Sequence, residues 1–301
     1  MAIPTNAFTT YTAIGMREDL TDVITNIAPV DTWFTTNSGT TTARNRLHEW
    51  QTDTLAAAAA NAQIEGDDAS GTAIVATSRL TNYTQILRKV FAITDTEDTV
   101  DKAGRASEIS YQTQNKLKEL ARDIEYALVV NITTATGHTG LGRQMKGLSG
   151  WIVTNTASGA TTATDLTTTI LNTALGLAWA QGAKPQHLLC GSYVKLIIDA
   201  FTGNTRNINA DLSKINMAVN VYESSFGTLQ IHLHQQINTT YPTSVMILGD
   251  MSLWQKAWLR KVKSEKLART GSATKIMIEG ELTLECRQEK GSAAVVAIKG
   301  V

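Results

Sequence analysis

The stretch from Thr52 to Ala76 constrains this chain more than any other. It carries five consecutive alanines, Ala56 to Ala60, then Glu65-Gly66-Asp67-Asp68 and Ser70-Gly71, with few large apolar side chains to bury. On either side the sequence reads as strand. Arg44 to Gln51 alternates, and Asn82 to Thr94 carries Ile86, Leu87, Val90, Phe91 and Ile93. Two strands joined by a long excursion without a core of its own predict an extended hairpin arm. An isolated hairpin is at best marginal in water, so such an arm is expected to lie on something else.

The strongest periodic signal follows, from about Thr99 to Val130. Ile109, Thr113, Leu117, Leu120, Ile124 and Leu128 are spaced three or four residues apart and make one helical stripe. At 1.5 Å per residue the spacing predicts a spine helix roughly 45–50 Å long with one face on a sheet. Asp101 and Arg105, four residues apart, can pair on it. Before the arm, Ala13 to Ile27 reads as a short amphipathic helix stopped by Pro29, and Trp33 and Phe34 follow as apolar anchors. After the spine, Gly137 to Gly150 holds five glycines and reads as a connection between domains.

Residues 150–245 mix the two periods. Leu166 to Ala180 predicts a helix closed by Gly182 and Pro185, and His187 to Cys190 a buried strand. Tyr193 to Phe201 predicts another helix. Met217, Val219 and Val221 alternate, as do Leu229, Ile231 and Leu233, around Phe226-Gly227: a hairpin. The last sixty residues return to strands at Val245–Leu248, Leu253–Val262, Lys275–Arg287 and Ala294–Ile298. From Lys275 to Arg287 the alternation predicts a half-exposed strand, with Ile276, Ile278, Leu282, Leu284 and Cys286 on one face and Glu279, Glu281 and Glu285 on the other.

No catalytic constellation stands out. His232 and His234 lie two apart on one strand face, but no third ligand clusters nearby in sequence, so they read as exposed strand histidines. Glu65, Asp67 and Asp68 lack the spaced oxygen ligands of an EF-hand and read as a solvated or partner-facing acidic tip. Gly140-Leu141-Gly142 is not followed by Gly-Lys-Ser/Thr, and no Gly-x-Ser-x-Gly elbow occurs. Cys190 and Cys286 are too far apart and too few for a metal site or disulfide framework and are expected to be buried, inert thiols. The N-terminus has no signal-peptide pattern and no window nears the roughly 18 apolar residues of a membrane span, so a soluble chain made in the cytosol is expected. Lys+Arg 27 balance Asp+Glu 27, which argues against a strongly basic nucleic-acid module. The balance is local, however. From Met251 to Val301 there are ten Lys/Arg against five Asp/Glu, and Lys256, Arg260, Lys261, Lys263, Lys266 and Arg269 are interrupted only by Glu265. That segment is either a solvated strand face or a docking surface for acidic groups.

The order of parts, with N-terminal arm, hairpin arm, spine helix, α/β insert and returning strands, resembles the major capsid proteins of tailed phages with the Hong Kong 97 fold. Trp50-Gln51-Thr52-Asp53, Ala103-Gly104-Arg105, Glu119 to Glu125, Arg143-Gln144-Met145, Gly191-Ser192-Tyr193, Phe226-Gly227-Thr228-Leu229, Thr283-Leu284-Glu285 and Glu289-Lys290 look like one phage head-protein subfamily, formerly a domain of unknown function. The resemblance implies an α+β chain divided into an N-arm (1–43), an E-loop with its flanking strands (44–94), a P-domain (95–148 and 246–301) and an inserted A-domain (149–245). It implies a non-catalytic shell subunit with no cofactor, located in the virion capsid and in the host cytoplasm during assembly. Its partners would be itself, as hexamers and pentamers, a separate scaffolding protein, a portal, in some members a decoration protein, and double-stranded DNA bound without sequence specificity. An encapsulin nanocompartment shell, with the same fold, is the alternative, and an enzyme of unknown class a more distant one. In the founding member an E-loop lysine forms an isopeptide bond with a neighbour. Here no lysine precedes Lys89, so covalent chain-mail of that kind is not expected. Intersubunit contacts are expected at Glu65, Asp67 and Asp68 of the arm tip, Arg105 of the spine, Arg260, Lys261, Lys263 and Lys266 of the basic segment, and the anchors Trp33 and Phe34.

Overall fold

The computed structural model describes residues 32–66, 68, 71, 74–100, 107–159, 164–201, 221–239 and 243–299. The expected helix at Ala13–Ile27, Arg105 with Asp101, Asp67, and the Met217–Val219 part of the expected hairpin lie outside them.

The arm is present, but its second strand is not the expected Asn82–Thr94, most of which pairs elsewhere. Strands β1 (Gly39–Thr42) and β2 (Leu47–Thr52) precede it, and β3 (Ser78–Tyr83) pairs antiparallel with β2 from Leu47↔Tyr83 to Thr52↔Ser78. Beyond that rung every described residue from Asp53 to Thr77 is exposed, and Ala56–Ala60 form neither helix nor strand. The chain then turns at Thr84 into β4 (Gln85–Thr94), which leaves the hairpin for a second sheet.

That sheet has four strands in the order β1-β10-β11-β4, where β10 is Trp254–Lys266 and β11 is Ala273–Cys286. The short helix α1 (Trp33–Asn37) leads into it from the N-terminal side. Alternation puts Phe91, Lys89 and Leu87 of β4 beside Ile276, Ile278 and Gly280 of β11 on one face. Gly280 sits where the β10 register shifts, and a Cβ there would come within 2.9 Å of the Val262 side chain.

The stripe from Ile109 to Leu128 lies in one helix, which starts later than the expected Thr99. Asp95–Thr99 forms a separate turn, α2, and the spine helix α3 runs Glu108–Val129, with the Ser107 side chain accepting from the Ser110 amide as N-cap. Its 22 residues give about 33 Å, shorter than the spacing predicts. Ser107 is a capping residue, and a hydrophobic stripe carries no information about where a cap starts its helix. Only the second half of the stripe is core. Leu120, Ile124, Ala127 and Leu128 pack with Phe34, Trp254, Ile278 and Leu282, whereas Leu117 is exposed.

A turn α4 (Leu148–Trp151) leads into the second layer, a six-stranded sheet. It comprises β5 (Thr156–Ser158), β6 (His187–Cys190), β7 (Val221–Ser224), β8 (Gly227–Leu233), β9 (Thr243–Leu248) and β12 (Ser292–Val296), ordered β5-β12-β9-β6-β8-β7. Helices α5 (Thr168–Ala180) and α6 (Ser192–Asp199) contribute Leu171, Leu175, Val194 and Ile198 to the core it shares with Leu188 and Tyr222. α5 stops as expected. Gly182 takes φ +85° and its amide donates to Trp179 O. Leu189, Met246 and Leu248 face the other core, so the sheet is covered on both sides. A boundary at 245/246 does not separate the two sheets, because β9 and β12 carry C-terminal residues into the sheet of the insert. Both are continuous apolar runs, suited to a doubly covered sheet rather than a half-exposed one.

Candidate assembly surfaces

Polar groups fasten the root of the arm to β11. The Thr84 hydroxyl donates to Glu281 Oε1 at 2.7 Å, and Asn82 Nδ2 donates to Leu284 O at 2.8 Å and Lys146 O at 2.9 Å. His48 Nε2 lies 3.0 Å from Glu285 Oε2, and the Trp50 indole donates to Cys286 O at 2.7 Å. These contacts change how β11 reads. Its Gly280–Cys286 half is buried on both faces, including Glu281 and Glu285, which the alternation places on an exposed side. The hairpin root covers them, and alternation cannot reveal a second cover.

Both carboxylates are held as anions. Burial pushes Glu281 up, but hydrogen bonds from Thr84 and Arg260 and the charge and hydrogen bond of Arg143 outweigh it and hold the carboxyl below its usual range. The His48 hydrogen bond does the same for Glu285 against its burial, with help from Arg287. Burial pushes the thiol of Cys190 up to about 12, and raises that of Cys286 as well, consistent with inert thiols.

Beyond its root the arm's large apolar side chains stay uncovered among the described residues. Leu55, Ile64, Ile74 and Val75 are 97%, 80%, 98% and 80% exposed. Glu65 and Asp68 are exposed at the tip.

The basic segment is only partly free. Arg260 reaches Glu279 at 2.5 Å and Glu281 at 3.0 Å within its own sheet, and Lys263 pairs with Glu265. Lys261 and Lys266 are exposed and make no ion pair among the described residues. Phe34 is fully buried in its own subunit, edge-on to Trp254 at 6.3 Å, so its apolar surface is satisfied without a neighbour. Trp33 is half-buried and stacks on His232 at 4.3 Å. His234 is not an exposed strand histidine. It is buried against Glu125 at 2.9 Å, while His232 lies 3.2 Å from His187 on β6.

In the sequence Glu125 stands out only as the end of the Glu119 to Glu125 stretch, and nothing local signals its buried partners. Among the described residues no group of three His, Cys, Asp or Glu could hold a metal ion. A cavity of about 650 Å³ lies between Asp53–Leu55, Gln181–Lys184 and Lys290–Gly291. Its Asp250 is held low by hydrogen bonds from Ser252, a turn-capping role.

Two sheets, a spine helix and a root-fixed arm with an uncovered tip are the parts of the Hong Kong 97 capsid fold. Solved structures agree in fold. The chain is similar to the capsid of a native GTA particle (TM-score 0.69, 9% identity, covering 96% of each chain). It is also similar to a chain of Gordonia phage Cozz (0.63, 12%, 95% of this chain and 92% of that one) and to the mature capsid of bacteriophage PhiM1 (0.59, 10%, 98% and 100%). The chain belongs to the SU10 major capsid protein family, whose model matches residues 3–299. It is 28% identical to the major capsid protein of Escherichia phage Phieco32 over a 353-residue alignment covering 100% of this chain and 99% of that relative. It is thus a structural capsid protein of a phage virion, not an enzyme, and the matches do not favour an encapsulin.

Proposed function

We propose that copies of this chain, grouped as hexamers and pentamers, close an icosahedral shell around double-stranded DNA held without sequence specificity. The observation that carries this reading is the arm. Four apolar side chains at least 80% exposed, on a segment whose described residues form no helix or strand, are a surface that symmetric neighbours would cover. In this reading the arm lies across the four-stranded sheet of an adjacent subunit, bringing Glu65, Asp67 and Asp68 to the basic segment with Arg260, Lys261, Lys263 and Lys266. The segment before Trp33 acts as a second intersubunit arm, and Arg105 and Trp33 make further contacts. Zero net charge suits a protein packed among many copies of itself. Assembly takes place in the host cytoplasm with a separate scaffolding protein and a portal, and a decoration protein is an optional further partner.

Electron microscopy of particles purified from producing cells, with nuclease-protected nucleic acid measured in parallel, tests this. Closed shells holding DNA are expected. Shells that hold a cargo enzyme and no DNA, or small open oligomers, would reject it.

A further inference from the structure

The N-terminal segment meets the body at a joint built largely from polar and charged groups. α1 has five residues, too few to hold a helix by itself, and Thr32 at its start makes no side-chain capping bond. Its free amides go to α3 instead. Phe34 N–H donates to Glu125 Oε1 and Thr35 N–H to Oε2, each at 2.7 Å, and the Thr35 hydroxyl also donates to Oε2. His234, just past β8, donates from Nε2 to Oε1 at 2.9 Å. The side chains of Glu125 and His234 are both fully buried. From β10, Lys256 Nζ donates to Thr35 O and Ser38 O, each at 2.7 Å. α1 is therefore gripped through its backbone by an anion at one end and a cation at the other.

A carboxylate in a dry core persists only where donors offset its lost hydration. Glu125 has four, and three come from α1. An apolar residue at 125 would fit beside the stripe of Ile124 and Leu128, but it would leave the Phe34 and Thr35 amides without their acceptor. We infer that Glu125 is the positioning residue of the N-terminal segment. It fixes α1 on the body, and with it the point at which the residues before Thr32 join. Resting on the reading of that segment as an intersubunit arm, it thereby sets the register of that arm in the shell.

Glu125→Gln keeps the size but turns an NH₂ towards the donors, and hydrogen exchange on the unassembled full chain reads the joint directly. Protection of the Phe34 and Thr35 amides should fall about tenfold or more while α5 and β6 keep theirs, and particle yield should fall with it. His234→Gln, which retains a side-chain N–H, should leave the joint protected. Unchanged Phe34 and Thr35 protection in Glu125→Gln overturns the inference. If Glu125→Gln also loses protection in α5 and β6, Thr35→Val supplies the test. It removes one donor only, and a loss confined to residues 33–38 upholds the inference while no loss overturns it. Loss of the joint with normal particle yield upholds the role of Glu125 and rejects the reading of the segment as an arm.

Discussion

Replacing Glu281 by alanine removes the anion that ties three separate segments to β11. Its Oε1 accepts from the Thr84 hydroxyl at 2.7 Å and from Arg143 at 2.5 Å, and its Oε2 accepts from Arg260 at 3.0 Å. Breaking a fully buried ion pair by deleting one partner costs about 3–5 kcal/mol. Here the Arg143 and Arg260 side chains are 25% and 43% exposed, and Arg260 keeps Glu279. Solvent screening of the two cations brings the expected loss down to about 2–3 kcal/mol. Glu281→Gln keeps the shape and one acceptor and should lose about 1–2 kcal/mol. Urea unfolding of unassembled subunits at neutral pH, followed by tryptophan fluorescence, measures both. The pH dependence is a second check. A carboxyl depressed in the folded state adds stability that is present above its unfolded value of 4.5 and lost as pH falls through the folded value. The stability curves of the native chain and of Glu281→Ala should therefore converge in acid. A loss below about 0.5 kcal/mol at neutral pH, or curves that stay parallel into acid, would refute the fastening role.

Three further outcomes are expected. Reversing Glu65, Asp67 and Asp68 to Lys should hinder assembly at low salt, and reversing Lys261 and Lys263 as well should restore it in part, since exposed pairs contribute only about 0.2–1 kcal/mol each and are screened. Normal assembly of the triple reversal at every salt concentration would show that the tip docks elsewhere. Arg105→Ala should block shell closure, seen by electron microscopy, while leaving the subunit folded by circular dichroism; closure at the normal yield would remove Arg105 from the contacts. Cys190 and Cys286 should resist a thiol reagent at mildly alkaline pH until urea unfolds the chain, and fast labelling of the native protein would contradict their burial.

The elements were legible where one period ran without competition. The stripe at Leu120, Ile124 and Leu128, the stop at Gly182 and the uncovered stretch after Thr52 all appear where the sequence puts them, because each depends on local spacing or composition. What failed depends on which surface meets which. Glu281 and Glu285 alternate as exposed residues would, yet the hairpin root lies over them. His234 reads as sharing a strand face with His232, but the strand ends at Leu233, and a carboxylate from α3, more than a hundred residues earlier in the chain, meets only His234. Phe34 reads as an anchor, and nothing in its neighbourhood tells that its partner is Trp254 of the same chain. β9 and β12 are apolar enough for either sheet, and only the pairing register assigns them.

In the proposed shell this subunit is incomplete by itself, and neighbours cover its arm. Hydrogen exchange over residues 53–77, compared between unassembled subunits and purified shells, tests it most directly. Amides there should exchange at nearly the unstructured rate in subunits and be protected in shells. Equal exchange in both states would contradict it.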